Sequence, residues 1–452
     1  AKPMNNPTVI RNARLVNEGQ ITESDVLLKN GRIEKIANDL QAPDGAEVVD
    51  ARGRYLLPGM IDDQVHFREP GLTHKGDFHS ESRAAIAGGV TSYMEMPNSK
   101  PPTTDVEQLE WKYARAAETS AANYGFYFGA TNDNIENIRA LDPSLACGLK
   151  VFMGASTGNM LVDDESTLAA IFRDSPVLIA THCESTPMIM ANIKAAMAKY
   201  GKSIPVTEHA KIRSAEACYA SSELAVALAN KYQAQLHVLH ISTARELDLF
   251  QPGPMTGKSI TAEACVHFLH FNDSQYGQYG NLIKCNPAIK TAADQAGLIA
   301  AIADGRLDII ATDHAPHTSA EKASDDYLSA PSGLPLVQEV LVAALELVHE
   351  NKLDLHTVVR GITHNPAKRF NVVERGFIRE GYHADLVMVD MDGITDVTRE
   401  RVLSRCGWSP FEGRKFRSRI DAVWVNGALA FDGKRVIEHG AAQRLQFNHP
   451  KR

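Results

Sequence analysis

The chain has 452 residues, of which 44% are hydrophobic and 23% charged, with a formal net charge of −8. That usage is ordinary for a globular protein and argues against disorder, and the length accommodates one large catalytic domain plus a smaller one. The acidic balance gives no reason to expect nucleic acid or an anionic membrane as partner, and no stretch is apolar for long enough to span a bilayer.

In chain order, Ala1 to Asn6 lack the apolar core of a signal peptide, so a cytoplasmic protein is expected. Thr8 to Tyr55 then hold short β-type runs; Val26 to Ile36 read as two strands around a turn at Asn30-Gly31. The middle of the chain alternates apolar runs with helix-length segments. Eight strands are predicted, at Leu56–Ile61, Thr91–Met96, Tyr124–Phe128, Gly148–Phe152, Val177–Ala180, Gln235–Leu239, Ser259–Glu263 and Asp308–Ala311. Helices are predicted at Val106–Thr119, Met188–Tyr200, Ala215–Tyr232 and Leu336–Asn351. Such alternation indicates an α/β protein with a (β/α)8 barrel, a doubly wound open sheet being the runner-up because periodicity cannot show closure. The end of the chain returns to β-type runs, at Ala384–Asp390 and Ala422–Ala430 with a turn at Asn426-Gly427. A small β-sandwich formed from both termini is therefore expected. The resulting division is 1–55 for the first part of the sandwich, 56–370 for the barrel and 371–452 for the second part and the tail.

Two connections are long for a barrel, Ala264 to Thr291 and Thr312 to Pro335. Both follow strands, and loops of that kind commonly form lids or substrate loops. The six cysteines (147, 183, 218, 265, 285 and 406) show no paired spacing and read as reduced core thiols.

Placed on this scheme, His66, Lys150, His182, His240 and Asp313 fall at the C-terminal ends of five different strands, the face where barrel enzymes keep their sites. Neutral imidazoles and a carboxylate are what zinc takes, with one position left open in a catalytic site. A single histidine would read as an ordinary core residue; five candidates in register make chance a poor explanation. Lys150 sits in an otherwise apolar strand, where a buried charge is costly. It reads either as a snorkelling or locally paired lysine, or as a neutralised or modified amine.

The stretch Pro58-Gly-Met-Ile-Asp-Asp-Gln-Val-His-Phe-Arg-Glu-Pro-Gly71 resembles the first-strand motif of the long bacterial type of dihydroorotase, within the metal-dependent cyclic amidohydrolases. The family pattern there is His-x-His-x-Arg-Glu-Pro-Gly. Further segments are similar to that family in the same order: Met96-Pro-Asn98, Gly148-Leu-Lys-Val-Phe-Met153, Thr181-His-Cys-Glu184, His237-Val-Leu-His-Ile-Ser-Thr243, Asn286-Pro287, Ala311-Thr-Asp-His-Ala-Pro-His317 and Pro331-Ser-Gly-Leu-Pro335. The likeness runs nearly end to end, through Thr363-His-Asn-Pro-Ala367 and Gly381-Tyr-His-Ala-Asp-Leu386.

The resemblance implies reversible hydrolysis of dihydroorotate to N-carbamoyl-aspartate, a step of de novo pyrimidine synthesis. It implies one or two Zn2+ per chain, with Lys150 carrying a carbamate that bridges two metals. His66, His182, His240 and Asp313 are the implied ligands, and Asp313 is also the implied general base and then general acid. The departure is Gln64, where the family has its first histidine. A glutamine oxygen is a weaker donor to zinc than imidazole, so Gln64 could ligate through oxygen, hold one metal weakly, or mark an impaired enzyme. Arg68 matches a substrate carboxylate bidentately; Asn98 and His317 occupy the family's neighbouring positions. Asn286 and the backbone at Gly333 are expected to read the ring amide edges. Without the resemblance, Arg68 would equally read as a surface salt bridge and Asn98 as a turn residue after Pro97. His267 and His270 lack a carboxylate or cysteine nearby to complete a metal pair, and structural or surface roles are expected for them. Allantoinase and hydantoinase or dihydropyrimidinase are the nearest rival activities, and a catalytically silent barrel acting as scaffold is the rival outside enzymes. A small-molecule substrate is the expected partner; a homodimer is compatible with a sequence that does not specify oligomeric state.

Overall fold

The computed structural model describes residues 6–154 and 159–452; the leading segment considered above lies, except for Asn6, outside the described residues. Eight parallel barrel strands follow one another: Met60–Val65, Val90–Glu95, Asn123–Phe126 continuing to Phe128–Gly129, Leu149–Phe152, Ile179–His182, Leu236–Val238, Ile260–Cys265 and Ile309–Ala311. Each pairs in parallel with the next. A parallel bridge between Val65 and His314 joins the last to the first, with His66 N donating to His314 O at 2.7 Å. That bridge closes the sheet, and the open-sheet alternative falls.

Helices Val106–Thr119 and Ala215–Tyr232 occupy the predicted spans; Met188–Tyr200 begins slightly earlier, at Thr186, and Leu336–Asn351 shortens to Val340–His349. Their starts are chemically marked. Asp105 accepts from Gln108 N and Ser214 from Ala217 N, each satisfying one of the free amides of a first helical turn. The base of the barrel is covered by the chain's end, where Leu445 and Phe447 pack with Tyr127 and Phe370.

One expectation needs correction. The first strand predicted at Leu56–Ile61 is two strands: Tyr55–Pro58 belongs to the terminal sheet, and the barrel strand starts at Met60. A continuous apolar run does not reveal which sheet each half joins. The switch happens at Gly59, where a Cβ would stand 2.0 Å from Thr91 Oγ1. The two long connections are also less bare than expected: the seventh strand continues to Cys265 and is followed by helices Val266–His270 and Tyr276–Tyr279, and the eighth connection contains Ser319–Lys322.

The β-sandwich is built from both termini. Seven of its eight strands form one hydrogen-bonded path from Ala428–Phe431 through Arg419–Val425, Leu386–Asp390 and Tyr55–Pro58 to Thr8–Asn17, Gln20–Lys29 and Arg32–Ala37, and the eighth, Glu47–Asp50, pairs with Thr8–Asn17 off that path. Both ends of the path share one core, in which Val26, Leu28 and Ile33 pack with Leu386, Met388 and Trp424. The two predicted turns meet there. Asn30-Gly31 and Asn426-Gly427 all have positive φ, as a two-residue hairpin turn requires. Ala384 ties them together, donating to Gly31 O and accepting from Gly427 N, both at 3.0 Å.

Candidate active site

The strand ends converge on one cavity. Gln64, His66, Arg68, Lys150, His182, His240, Asn286, Asp313 and Gly333 all line it, together with Phe152, His267, Cys285 and Ser332. Nine of the residues singled out in the sequence thus meet in one place. Asn98 and His317 stand behind this lining and contact it through His66 and Arg68.

His66 lies between two partners. Its Nδ1 is 2.9 Å from Asn98 Oδ1 and its Nε2 is 3.1 Å from Asp313 Oδ1. Burial holds the ring near a pKa of about 4, so it is neutral at ordinary pH. A neutral ring has one proton for these two acceptor oxygens, and with it on Nδ1 for Asn98, Nε2 would turn a lone pair toward the carboxylate oxygen. In that tautomer the two facing lone pairs suit a cation bound by both. His182 follows the same logic: Nε2 donates to Glu184 Oε1 at 2.8 Å, leaving Nδ1 free as a donor to metal. Glu184, fully buried, also accepts from Arg213 Nη1 at 2.7 Å. Burial would raise its pKa, but the Arg213 charge and the His182 bond outweigh it and hold the carboxyl at about 2. A carboxylate that orients a histidine from behind is the usual support of a metal ligand. The rings of His182 and His240 meet edge to face at 4.6 Å.

Lys150 is entirely buried, with Nζ 3.3 Å from Met96 Sδ and 4.5 Å from the centre of the Phe152 ring. Burial lowers its pKa to about 8. No carboxylate lies within ion-pair reach among the described residues, which disfavours the paired-lysine reading. Gln64 Oε1 receives a long 3.7 Å contact from the Cys265 thiol. The set of imidazole lone pairs, carboxylate and amine fits a metal, and Gln64 is the weak member of it.

Three of these residues, Arg68, His240 and Asp313, have positive φ although none is glycine (72°, 38° and 54°). Such backbone is held in place by its surroundings and clusters at functional sites. Arg68 is 5% exposed, so it is not a surface salt bridge. Its Nε donates to Pro316 O at 3.0 Å, and no carboxylate lies within 4 Å of its guanidinium among the described residues. Burial lowers its pKa to about 10, still a full cation at neutral pH. Behind it, His317 donates from Nε2 to Ser332 O at 2.8 Å and accepts from Lys75 Nζ at 2.7 Å.

The reading of His267 is corrected. It lines the cavity, fully buried, and neither ring nitrogen has a partner. His270, three residues on, packs away from the cavity and donates to Ala343 O, the structural role expected. Asn286 Oδ1 is likewise buried without a donor. Glu184, Arg213 and Glu263 were not singled out from sequence. The signal was present in Glu263, a carboxylate inside an otherwise largely apolar strand, as it was for Lys150.

A family model described as the amidohydrolase family matches residues 55–430. The chain belongs to the amidohydrolase family. Among curated relatives, a dihydroorotase of Halobacterium salinarum is 34% identical over 443 residues, covering 95% of this chain and 99% of its own. An allantoinase of Bacillus velezensis is 31% identical over 433 residues, covering 94% of each chain. Among solved structures, the L-hydantoinase of Arthrobacter aurescens superposes on this amidohydrolase with a TM-score of 0.91 at 26% identity, covering 97% of this chain and 99% of its own. No helix among the described residues is long and apolar enough to cross a membrane, and all six cysteines are buried and unpaired.

Proposed function

We propose that this amidohydrolase is a zinc-dependent dihydroorotase, opening and closing the ring between dihydroorotate and N-carbamoyl-aspartate in pyrimidine synthesis. The observation that carries the reading is Arg68: a buried guanidinium at the cavity wall with no carboxylate partner among the described residues. A cation buried that way is poorly compensated until an anion joins it, and dihydroorotate brings a carboxylate. Dihydrouracil has none.

In this reading His66, His182, His240, Asp313 and Lys150 hold the metal, Lys150 as a carbamate, with Gln64 contributing its amide oxygen. A metal there supplies Lewis acidity, polarising the carbonyl under attack and making water nucleophilic near neutral pH. Asp313 takes the proton from the attacking water and returns it to the departing ring nitrogen. The guanidinium of Arg68 holds the substrate carboxylate, positioned by His317 and Lys75. Asn98 fixes the His66 ring rather than touching substrate. The unpartnered Asn286 oxygen accepts from a ring N–H, and Gly333 lets backbone approach the ring. The unpaired cysteines support a reducing compartment such as the cytoplasm.

The rival activities are those of the allantoinase and hydantoinase relatives. Purified protein given Zn2+ and bicarbonate and assayed on dihydroorotate, dihydrouracil and allantoin separates them: turnover of dihydroorotate is expected, and activity confined to either of the others overturns the assignment. Protein that stays inert on all three after reconstitution supports a silent scaffold.

A further inference from the structure

Beneath the cavity floor, inside the barrel, lies a second group with the character of a metal site. Asp63 on the first strand, His237 on the sixth and Glu263 on the seventh are each 0% exposed, and their ligand atoms all lie within 4.8 Å of one another. The first strand's pairing is irregular between Asp62 and Val65, and Tyr127 Oη donates to Asp63 O at 2.7 Å, fixing the backbone there.

Two tautomers fit the hydrogen bonds around His237, because the Thr261 hydroxyl beside its Nδ1 can donate or accept. In the metal-binding tautomer the Thr261 hydroxyl donates to Leu236 O, 3.4 Å away, and its oxygen accepts from His237 Nδ1 at 2.8 Å. His237 Nε2 is then a bare lone pair, 2.8 Å from Glu263 Oε1 and 3.5 Å from Asp63 Oδ2. Asp63 supplies the independent sign of a missing partner: among the described residues both of its carboxylate oxygens are buried without a backbone, hydroxyl or cationic donor, their polar neighbours being the Glu263 carboxyl and the His237 ring of the same cluster. Orphaned buried carboxylate oxygens are rare and costly. Among the described residues neither Asp63 nor Glu263 pairs with a lysine or arginine. A single proton can satisfy one pair of these atoms. An ion with ligands at about 2.1 Å satisfies all three.

We propose that Asp63, His237 and Glu263 bind a divalent cation of the zinc or manganese class, separate from the metal of the reaction cavity. Two carboxylates and an imidazole suit such ions, and Thr261 is the outer partner that a ligating histidine normally has. The site ties the first strand to the sixth and seventh across the barrel interior. It also reaches the cavity, because Glu263 Oε2 accepts from the backbone amide of His240 at 3.4 Å. The cation therefore positions His240 from below, on the side where Gln64 replaces an imidazole. This inference does not depend on which ring the enzyme opens.

The test is a metal count joined to anomalous diffraction. Crystals of the unmodified chain soaked in Zn2+ or Mn2+ should show an anomalous peak among His237 Nε2, Glu263 Oε1 and Asp63, and the peak should persist in Asp313→Asn, which alters only the cavity face. Asp63→Asn should bind one equivalent of Zn2+ per chain less than the unmodified protein. Absence of a peak at millimolar metal, or an undiminished count in Asp63→Asn, means the three groups share a proton and overturns the proposal. Should Asp63→Asn fail to fold, the map of the unmodified chain decides alone.

Discussion

Glu184 Oε1 accepts from His182 Nε2 at 2.8 Å and from Arg213 Nη1 at 2.7 Å, so one buried carboxylate sets the ring that faces the cavity. Replacing Glu184 by glutamine keeps the shape but removes the charge. Loss of such an outer partner weakens metal binding by roughly 10–100-fold. Zinc titration of Glu184→Gln against a competing chelator should read that loss; an unchanged affinity would show that His182 needs no support.

Lys150 should carry carbon dioxide. Its buried amine, lowered to about 8, is neutral in a substantial fraction near pH 8. Attack on CO2 forms the N–C bond and releases one proton to solvent, leaving a carbamate. Protein equilibrated with 13C-bicarbonate and Zn2+ should show a carbamate carbon resonance that Lys150→Ala lacks. A spectrum identical in both would remove the bridging group from the account.

How far the site could be read in advance depended on whether its chemistry was local. His66, His182, His240 and Asp313 stand at strand ends, and their spacing along the chain already places them on one face. Arg68 was ambiguous, because nothing in its neighbourhood told a buried guanidinium from a surface one; that depended on Pro316 and His317, nearly 250 residues away. Asn98 had the same problem, its partner being His66 on another strand. His267 was misread because its own short helix does not reveal that the ring lines the cavity shared with Asp313 and Leu336. In the fold, the alternating pattern was enough for eight strands, yet closure came down to one bridge, Val65 to His314, and the change of sheet at Gly59 is invisible in an unbroken apolar run.

Gly333 should not tolerate a side chain. Its φ is 145°, and a Cβ would sit 2.4 Å from Ala315 O and 2.9 Å from His317 Nε2. Crowding of that kind costs roughly 1–3 kcal/mol. Gly333→Ala should melt at lower temperature and raise KM, since His317 is pushed against Arg68. Unchanged melting and KM would mean the loop moves aside freely.

His270 gives a pH dependence with a definite sign. Burial lowers its pKa from 6.5 to about 4, while its Nε2–H bonds Ala343 O at 2.7 Å. The unfolded chain therefore binds the proton more readily. The ring's contribution is fully present above about pH 6.5 and is lost as pH falls toward 4. His270→Gln should be less stable than the unmodified protein at pH 7.5, and the gap should narrow by about 2 kcal/mol at pH 5. Denaturant unfolding at the two pH values measures it, and a gap that widens in acid contradicts the buried neutral ring.

The most direct test of the central claim compares kcat/KM for dihydroorotate and for dihydrouracil in the zinc- and bicarbonate-loaded enzyme and in Arg68→Met. Truncating one side of a buried charge pair costs about 2–5 kcal/mol, so the variant should lose roughly 30-fold or more on dihydroorotate, which the unmodified enzyme should strongly prefer. Its small activity on dihydrouracil, which has no carboxylate for Arg68 to hold, should stay level. Preference for dihydrouracil in the unmodified enzyme, or equal losses on both rings in Arg68→Met, would contradict the account.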